Sequence, residues 1–221
     1  ADLGPMRAEH RILGLQLGGG PFMARLEAFG KTYRDLAQET RENQVISGGT
    51  GRSRGLDVFV RWPAFAGISG RMSYSYIHAR RTDPNTLILA RSPFDITHVM
   101  TSVLERRFGP AWAVSLALRA ATGRPFTPIT SARFDSARAV WEPAYGAPNS
   151  ERLPSFQRVD VSMSRLIPLP GQRLLVVFVA ANNLFDRINV HDYRYDATYQ
   201  ARTPVRSQFK RSIYFGASVT F

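Results

Sequence analysis

FKRSIYFGASVTF, Phe209 to Phe221, alternates without a break to its last residue. Phe209, Ile213, Phe215, Ala217, Val219 and Phe221 fall on one face with only Arg211 among them, while Lys210, Ser212, Tyr214, Gly216, Ser218 and Thr220 fall on the other. Side chains of an extended chain point alternately to opposite sides, so this stretch is a two-faced strand. With nothing after it to cover the apolar face, such a strand suits lipid better than a soluble core. A membrane strand needs one apolar side and tolerates a polar side toward a lumen.

Composition agrees with that reading. The 221 residues are 44% hydrophobic and 21% charged, which is not the profile of a disordered chain. The longest apolar run, Leu174 to Ala181, is far shorter than a spanning helix needs, so a helical membrane protein is excluded. Absence of cysteine rules out disulfides and suits a chain that crosses an oxidising periplasm unfolded. ADLGPMRAEH at the start lacks a basic-then-apolar leader, so either a leader has been removed or the chain is a fragment. The net charge of +12 is almost wholly arginine, because Lys31 and Lys210 are the only lysines. These arginines are spread from Arg7 to Arg211 without an aromatic stacking motif, which argues against nucleic acid as a partner. Guanidinium groups in a barrel would instead line the lumen, pair with carboxylates there, or meet lipid phosphates at the rims.

Alternation and turn residues predict nine strands: Arg11–Leu17, Phe22–Leu36, Arg52–Trp62, Ile68–Arg80, Asp95–Arg107, Trp112–Arg124, Ser155–Leu166, Arg173–Phe185 and Phe209–Phe221. In Asp95–Arg107 neither Met100 with Leu104 nor Val99 with Val103 decides the phase. The connections alternate between short (Gly18–Pro21, Pro63–Gly67, Phe108–Ala111, Ile167–Gln172) and long (Ala37–Gly51, Arg81–Phe94, Pro125–Pro154, Asp186–Gln208). Outer-membrane barrels keep short turns at the periplasmic end and long loops outside, whereas a soluble β-sandwich, the competing architecture, has no reason to. Nine strands is an odd number, and an unpaired edge in hydrocarbon leaves backbone groups unsatisfied. The expectation is therefore an all-β antiparallel transmembrane barrel, of which this chain is the C-terminal portion.

Four segments together carry a family resemblance. GTGRSRGLDVFVRW (Gly49–Trp62) places Gly49, Gly51, Ser53 and Gly55 in a Gly-x-Gly-x-Ser-x-Gly-hydrophobic-Glu pattern with Asp57 at the acidic position. ATGRPFTPI (Ala121–Ile129) closes an upward strand, and RLPSFQRVDVSMSR (Arg152–Arg165) with VAANNLFDRINV (Val179–Val190) forms a hairpin ending in Asn-Leu-Phe-Asp. With the terminal strand, the chain resembles the C-terminal barrel half of a TonB-dependent outer-membrane receptor. The resemblance implies a 22-stranded barrel in the Gram-negative outer membrane, a plug domain within it, and TonB-coupled uptake of an iron chelate, vitamin, sugar or peptide. Plug and TonB contact would lie outside this chain. The implied partners are outer-membrane lipid and lipopolysaccharide, the plug and TonB, the barrel-insertion machinery through Phe215, Val219 and Phe221, and a small-molecule ligand. A small self-contained porin or adhesin is the alternative, and a rim protease a more distant one.

Candidate residues follow from placement. Arg133, Arg138, Trp141, Tyr145, Tyr193, Arg194 and Tyr195 lie in the two long late loops and are ligand-contact candidates, with loop packing as the competing role. Arg25, Glu27, Asp57, Arg71, Arg119, Arg158, Asp160 and Lys210 are candidates to face the lumen and plug. Leu26, Val58, Leu116, Leu118, Val161, Val177, Phe215 and Val219 should share the outer surface. His10, His78, His98 and His191 are too dispersed for a metal site, and no cofactor is expected. Adjacent His191 and Asp192 point to opposite faces in extended chain, which argues against a catalytic pair and an enzyme. Asn182, Asn183 and Asp186 should make turn hydrogen bonds.

Overall fold

In the computed structural model, residues 3–171 and 173–220 are described. Nine strands of the ten-stranded main sheet follow one another in chain order: β1 (Arg7–Gly19), β2 (Phe22–Glu39), β3 (Val45–Phe65), β4 (Ile68–Thr82), β6 (His98–Phe108), β7 (Trp112–Ala121), β12 (Phe156–Leu169), β13 (Arg173–Asn182) and β16 (Ser212–Thr220), and the tenth, β5 (Leu89–Arg91), pairs with β4 beside this path. Every neighbouring pair is antiparallel. Seven short strands sit in the connections: β5 (Leu89–Arg91), β8 (Pro125–Phe126), β9 (Ile129–Asp135), β10 (Val140–Tyr145), β11 (Glu151–Arg152), β14 (Val190–Tyr195) and β15 (Arg202–Arg206). All nine strands expected from alternation are present, joined in the expected order.

Register assigns the faces. Leu26 lies opposite Val58, Val58 opposite Tyr74, Tyr74 opposite Met100, and Met100 opposite Ala120. Leu118 and Leu116 oppose Val159 and Val161, Val161 opposes Ala181, and Val179 and Val177 oppose Phe215 and Ala217. Directly opposed residues of an antiparallel ladder project to the same side. One face therefore carries Leu26, Val58, Leu116, Leu118, Val161, Val177, Phe215 and Val219. Arg25, Phe59, Ser73, Thr101, Arg119 and Arg158 run across the other, with Glu27, Asp57 and Asp160 on that same side. The open phase of β6 is settled: Met100 and Leu104 share the apolar face, Val99 and Val103 the polar one.

The apolar face has no second layer. Leu13 is 79% exposed and Phe215 86%, and among the described residues the buried hydrophobic ones are confined to Ala79, Ala90, Leu153 and Ala180. A continuous apolar surface of this extent belongs against lipid or another apolar surface, and the two packed sheets of a sandwich are not seen. Aromatic rings gather at both ends of this face. Phe22, Trp62, Phe108 and Trp112 stand near the short turns, while Tyr74, Tyr76 and His98 cluster toward the long loops, with Tyr74 Oη 2.8 Å from His98 Nδ1.

Two expectations need correction. Instead of a long loop over Ala37–Gly51, β2 and β3 continue as a tall hairpin closed by residues 40–44. Gly49 allows this, because the Gln38 amide occupies the space a side chain there would need. The last strand begins at Ser212, so Lys210 lies ahead of it rather than on the polar face. Side chains of the Asn-Leu-Phe-Asp turn claim that backbone: Asn183 Nδ2 donates to the Phe209 carbonyl at 3.0 Å, and the Arg211 N–H donates to Asp186 at 2.7 Å. Asn183 and Asp186 both adopt positive φ, as expected of turn residues. The two long late connections contain the hairpins β9–β10 and β14–β15. Phe221, part of the expected insertion signal, lies outside the described residues.

Candidate ligand site at the long-loop end

The four short connections, at residues 20–21, 66–67, 109–111 and 170–171, lie at one end of the sheet, and residues 40–44, 83–97, 122–155 and 183–211 join strands at the other. Above the strands the long connections are tied together by a buried polar knot. The Asp95 side chain is fully buried, and Thr97 Oγ1 donates to it at 2.8 Å and the Ala79 N–H at 3.1 Å. Arg152 Nη2 reaches Asp95 Oδ1 at 3.1 Å and Thr97 Oγ1 at 2.6 Å, while its Nη1 donates to the carbonyls of Asp95 and Gly123. His78 and Arg91 stand 3.7 and 3.9 Å from the same carboxylate. Burial alone would raise the Asp95 pKa, but the hydrogen bonds from Thr97, Ala79 and Arg152, with the arginine charge, hold it below the usual carboxylate value. The knot joins β4, the turn before β6, the end of β7 and β11. Gly123 is required there because a Cβ would overlap the Leu153 carbonyl.

Two recesses open beside this knot and share Arg81 and Phe94. The lower, about 250 Å³, is bordered by Tyr33, Gly51, Ser53, Ile77 and Ala79 on the polar face. Above it a cavity of about 420 Å³ is lined by Gln38, Arg41, Arg91, Tyr145 and Asn149 among others. Arg41 stacks on Tyr145 at 3.7 Å, and its backbone N–H donates to Asn85 at 2.9 Å. Two polar atoms in this wall, Gln38 Oε1 and Arg81 Nε, are buried without a hydrogen-bond partner among the described residues. Buried polar atoms are rarely left so, and two in one cavity wall suit a surface that meets a polar ligand.

The seven loop candidates do not converge on one point. Arg133 pairs with Glu142 at 3.2 Å, Arg138 with Asp135 at 2.7 Å and with Glu142, and Trp141 packs on Phe134, all within the β9–β10 hairpin. Tyr145 reaches the cavity. Tyr193 sits against Phe126 and under the Arg202 guanidinium at 4.5 Å, and Arg202 also pairs with Glu151 at 3.0 Å. The Ile129 N–H donates to Tyr195 Oη at 3.3 Å. Tyr193 and Tyr195 thus bind the two long loops to each other, while Arg194 is exposed. Of the polar-face candidates, Arg158 holds Asp160 at 2.7 Å beside Arg119, and Arg25 stands 4.0 Å from Glu27. Arg41, Arg81 and Arg91 were not singled out in the sequence. Arg41 meets Tyr145 across more than a hundred residues, a contact between two separate connections that no strand pattern encodes. No group of three or more metal-ligating side chains occurs among the described residues.

A family model described as TonB dependent receptor-like, beta-barrel, matches residues 1–184. No curated protein sequence matches significantly. Among solved structures, the ferric-catecholate import receptor Fiu of E. coli K12 is similar with a TM-score of 0.65 at 13% identity, over 99% of this chain and 28% of that one. The ferripyoverdine receptor of Pseudomonas aeruginosa gives 0.65 at 14% identity, over 98% and 27%. The unliganded ferric citrate transporter FecA gives 0.69 at 20% identity, over 96% and 31%. The chain spans less than a third of the length of each of these three structures.

Proposed function

The chain belongs to the TonB-dependent receptor β-barrel family, whose members are outer-membrane receptors and transporters rather than enzymes, and on that premise we propose that it forms the C-terminal arc of a larger barrel that takes up a scarce nutrient by TonB coupling. In this reading the face with Leu26, Val58, Val177 and Phe215 meets lipid, and the face with Arg25, Glu27, Asp57, Arg71, Arg119, Arg158 and Asp160 lines the lumen toward a plug domain supplied by the rest of the protein. Paired charges on that wall can hold a plug and release it. Long loops then lie outside the cell.

The observation that carries the uptake role is the cavity of about 420 Å³ at the long-loop end. Arg41, Arg81 and Arg91 meet Tyr145 and Asn149 there, beside buried polar atoms without partners. Arginine with an aromatic neighbour suits an anionic ligand with a planar part, because the guanidinium both forks onto oxyanions and stacks on rings. A ferric chelate has that chemistry, and the similar structures are named for ferric catecholate, ferripyoverdine and ferric citrate. The test is uptake of ferric chelates by cells carrying the full-length protein with residues 129–145 or 190–206 deleted, or with Arg41→Gln and Arg81→Gln. Surface expression is measured alongside. Reduced uptake at normal surface level is the expected result; full uptake in all of them would move the ligand site out of this chain.

A further inference from the structure

The polar face changes character toward the long loops. Its middle rows carry Arg25, Glu27, Asp57 and Arg119, but above them Phe29 and Ile77 flank Gly55, Lys31 and Ala79 flank Ser53, and Tyr33 and Arg81 flank Gly51. The three small residues of β3 leave a trough between the side chains of β2 and β4. At its foot the Phe29 ring lies over Gly55, where a Cβ would overlap it. Leu36 borders the trough near Gly51, and Phe94 stands beside it from the connection before β6, 71% exposed. The lower recess of about 250 Å³ is this trough, with Tyr33, Leu36, Ile77, Ala79 and Phe94 as its apolar walls. Apolar surface left open on a wall that is otherwise charged marks a place of contact.

Arg81 divides the recess from the cavity above and, with Phe94, borders both. It stands opposite Gly51, and its Nη2 donates to the Ala37 carbonyl of β2 at 3.2 Å, so the guanidinium lies across β3 where no side chain blocks it. Its Nε is buried and has no partner among the described residues. Above this bar the walls are Arg41, Arg91 and Asn149; below it they are apolar. One molecule that fits both parts has its charge above, an acceptor at Arg81 Nε and an apolar part below.

We propose that the ligand of the cavity is such a two-part molecule, an anionic chelate carrying an aliphatic or flat apolar tail, and that the tail lies in the recess beside Phe94. The inference rests on the cavity reading above and adds the tail to it. At about 30 Å³ for a group the size of a water molecule, 250 Å³ holds about eight such groups, which is a short chain or a ring and not a membrane acyl chain. A methylene taken out of water strengthens binding about fourfold, so three of them are worth up to about fiftyfold.

The test uses the whole receptor, purified and held in an amphipathic polymer, with the ferric complexes of citrate and of dihydroxybenzoate, each amide-linked to a methyl, butyl or hexyl tail. Equilibrium binding of radioactive iron is measured below the concentrations at which the tails form micelles. For at least one head the butyl complex should bind at least about tenfold more tightly than the methyl one, and the hexyl complex more tightly again. In Ser53→Leu, which fills the recess, and in Phe94→Ser, which removes its apolar edge, the three tails should bind within about threefold of one another. Resistance to SDS without heating reports that each variant is a folded barrel. A tail gain retained in either folded variant would overturn the proposal. Binding of the methyl complex that Arg41→Gln weakens, with no gain from longer tails in the wild type, would overturn this inference alone and mean that the recess is filled by the rest of the protein. Failure of both heads to bind with any tail, or binding that Arg41→Gln leaves unchanged, would overturn the cavity reading and this inference with it.

Discussion

Replacing Arg152 by alanine removes the centre of the knot above the sheet. Four hydrogen bonds disappear, two of them to Asp95, and the fully buried carboxylate keeps only Thr97 and the Ala79 N–H as donors. Breaking a buried ion pair by deleting one partner costs roughly 3–5 kcal/mol. Arg91 at 3.9 Å and His78 at 3.7 Å compensate part of this, and Arg152 is itself 24% exposed, so the lower end, about 3 kcal/mol, applies. The loss falls on the loops that the knot ties, because the ladders of the strands are untouched. About 3 kcal/mol raises the open population of those loops by roughly 10²-fold, and cleavage follows that population when opening and closing are fast. Native-state chymotrypsin digestion of the folded protein, read at Phe94 and Phe126, should therefore accelerate by about two orders of magnitude. Asp95→Asn combined with Arg152→Met removes both charges and should recover a large part of the loss. Cleavage within threefold of wild type in Arg152→Ala would refute the assignment of loop order to this knot.

Asp95 also sets a pH dependence. Its folded pKa lies below the unfolded value, so its stabilisation is complete above about pH 4 and is lost as pH falls through the folded value; loop protection should be flat from pH 7 to 5, weaken in stronger acid, and become insensitive to acid in Asp95→Asn. Gly123→Ala should loosen the same loops by roughly 3 kcal/mol, the upper end for overpacking, since the new Cβ meets a backbone carbonyl that cannot rotate away, and hydrogen exchange at residues 122–155 measures it. Val177→Arg should hinder insertion by roughly 2–4 kcal/mol at the bilayer midplane, read as the folded fraction after refolding into lipid vesicles; insertion at the wild-type level would mean that the apolar face has been assigned wrongly.

Alternation made the spanning strands legible because each has one face that must be apolar, and a period of two survives in Val58, Val161 and Val177 whatever the rest of the chain does. Position at the strand ends was less legible. Lys210 keeps the alternating pattern, yet its neighbours' backbone is held by Asn183 and Asp186, a competition that alternation does not encode. The tall β2–β3 hairpin was hidden by Gly48, Gly49 and Gly51, which read as a loop, although Gly49 and Gly51 here admit Gln38, Leu36 and Tyr33 close to the backbone. Sites were harder still. Asp95 with Arg152 and Arg41 with Tyr145 each bring together residues distant in sequence, and neither pair lies on a shared strand ladder that alternation could reveal. Trp141 and the two hairpin arginines were visible as aromatic and basic loop residues, but composition does not distinguish a ligand contact from the hairpin packing they make.

The central claim is that one face of this sheet meets lipid and the other a lumen, and single cysteines placed in this cysteine-free stretch of the protein measure it directly. Single cysteines placed in the whole protein at Leu116, Val161, Val177 and Phe215, and at Arg119, Ser162, Phe178 and Tyr214, can be labelled with a fluorophore in lipid bilayers and quenched from either phase. Labels at the first four should be quenched by lipid-borne quencher and spared by aqueous iodide; those at the second four should be spared by the lipid quencher. Equal lipid quenching at both sets, or the reverse pattern, would contradict the account.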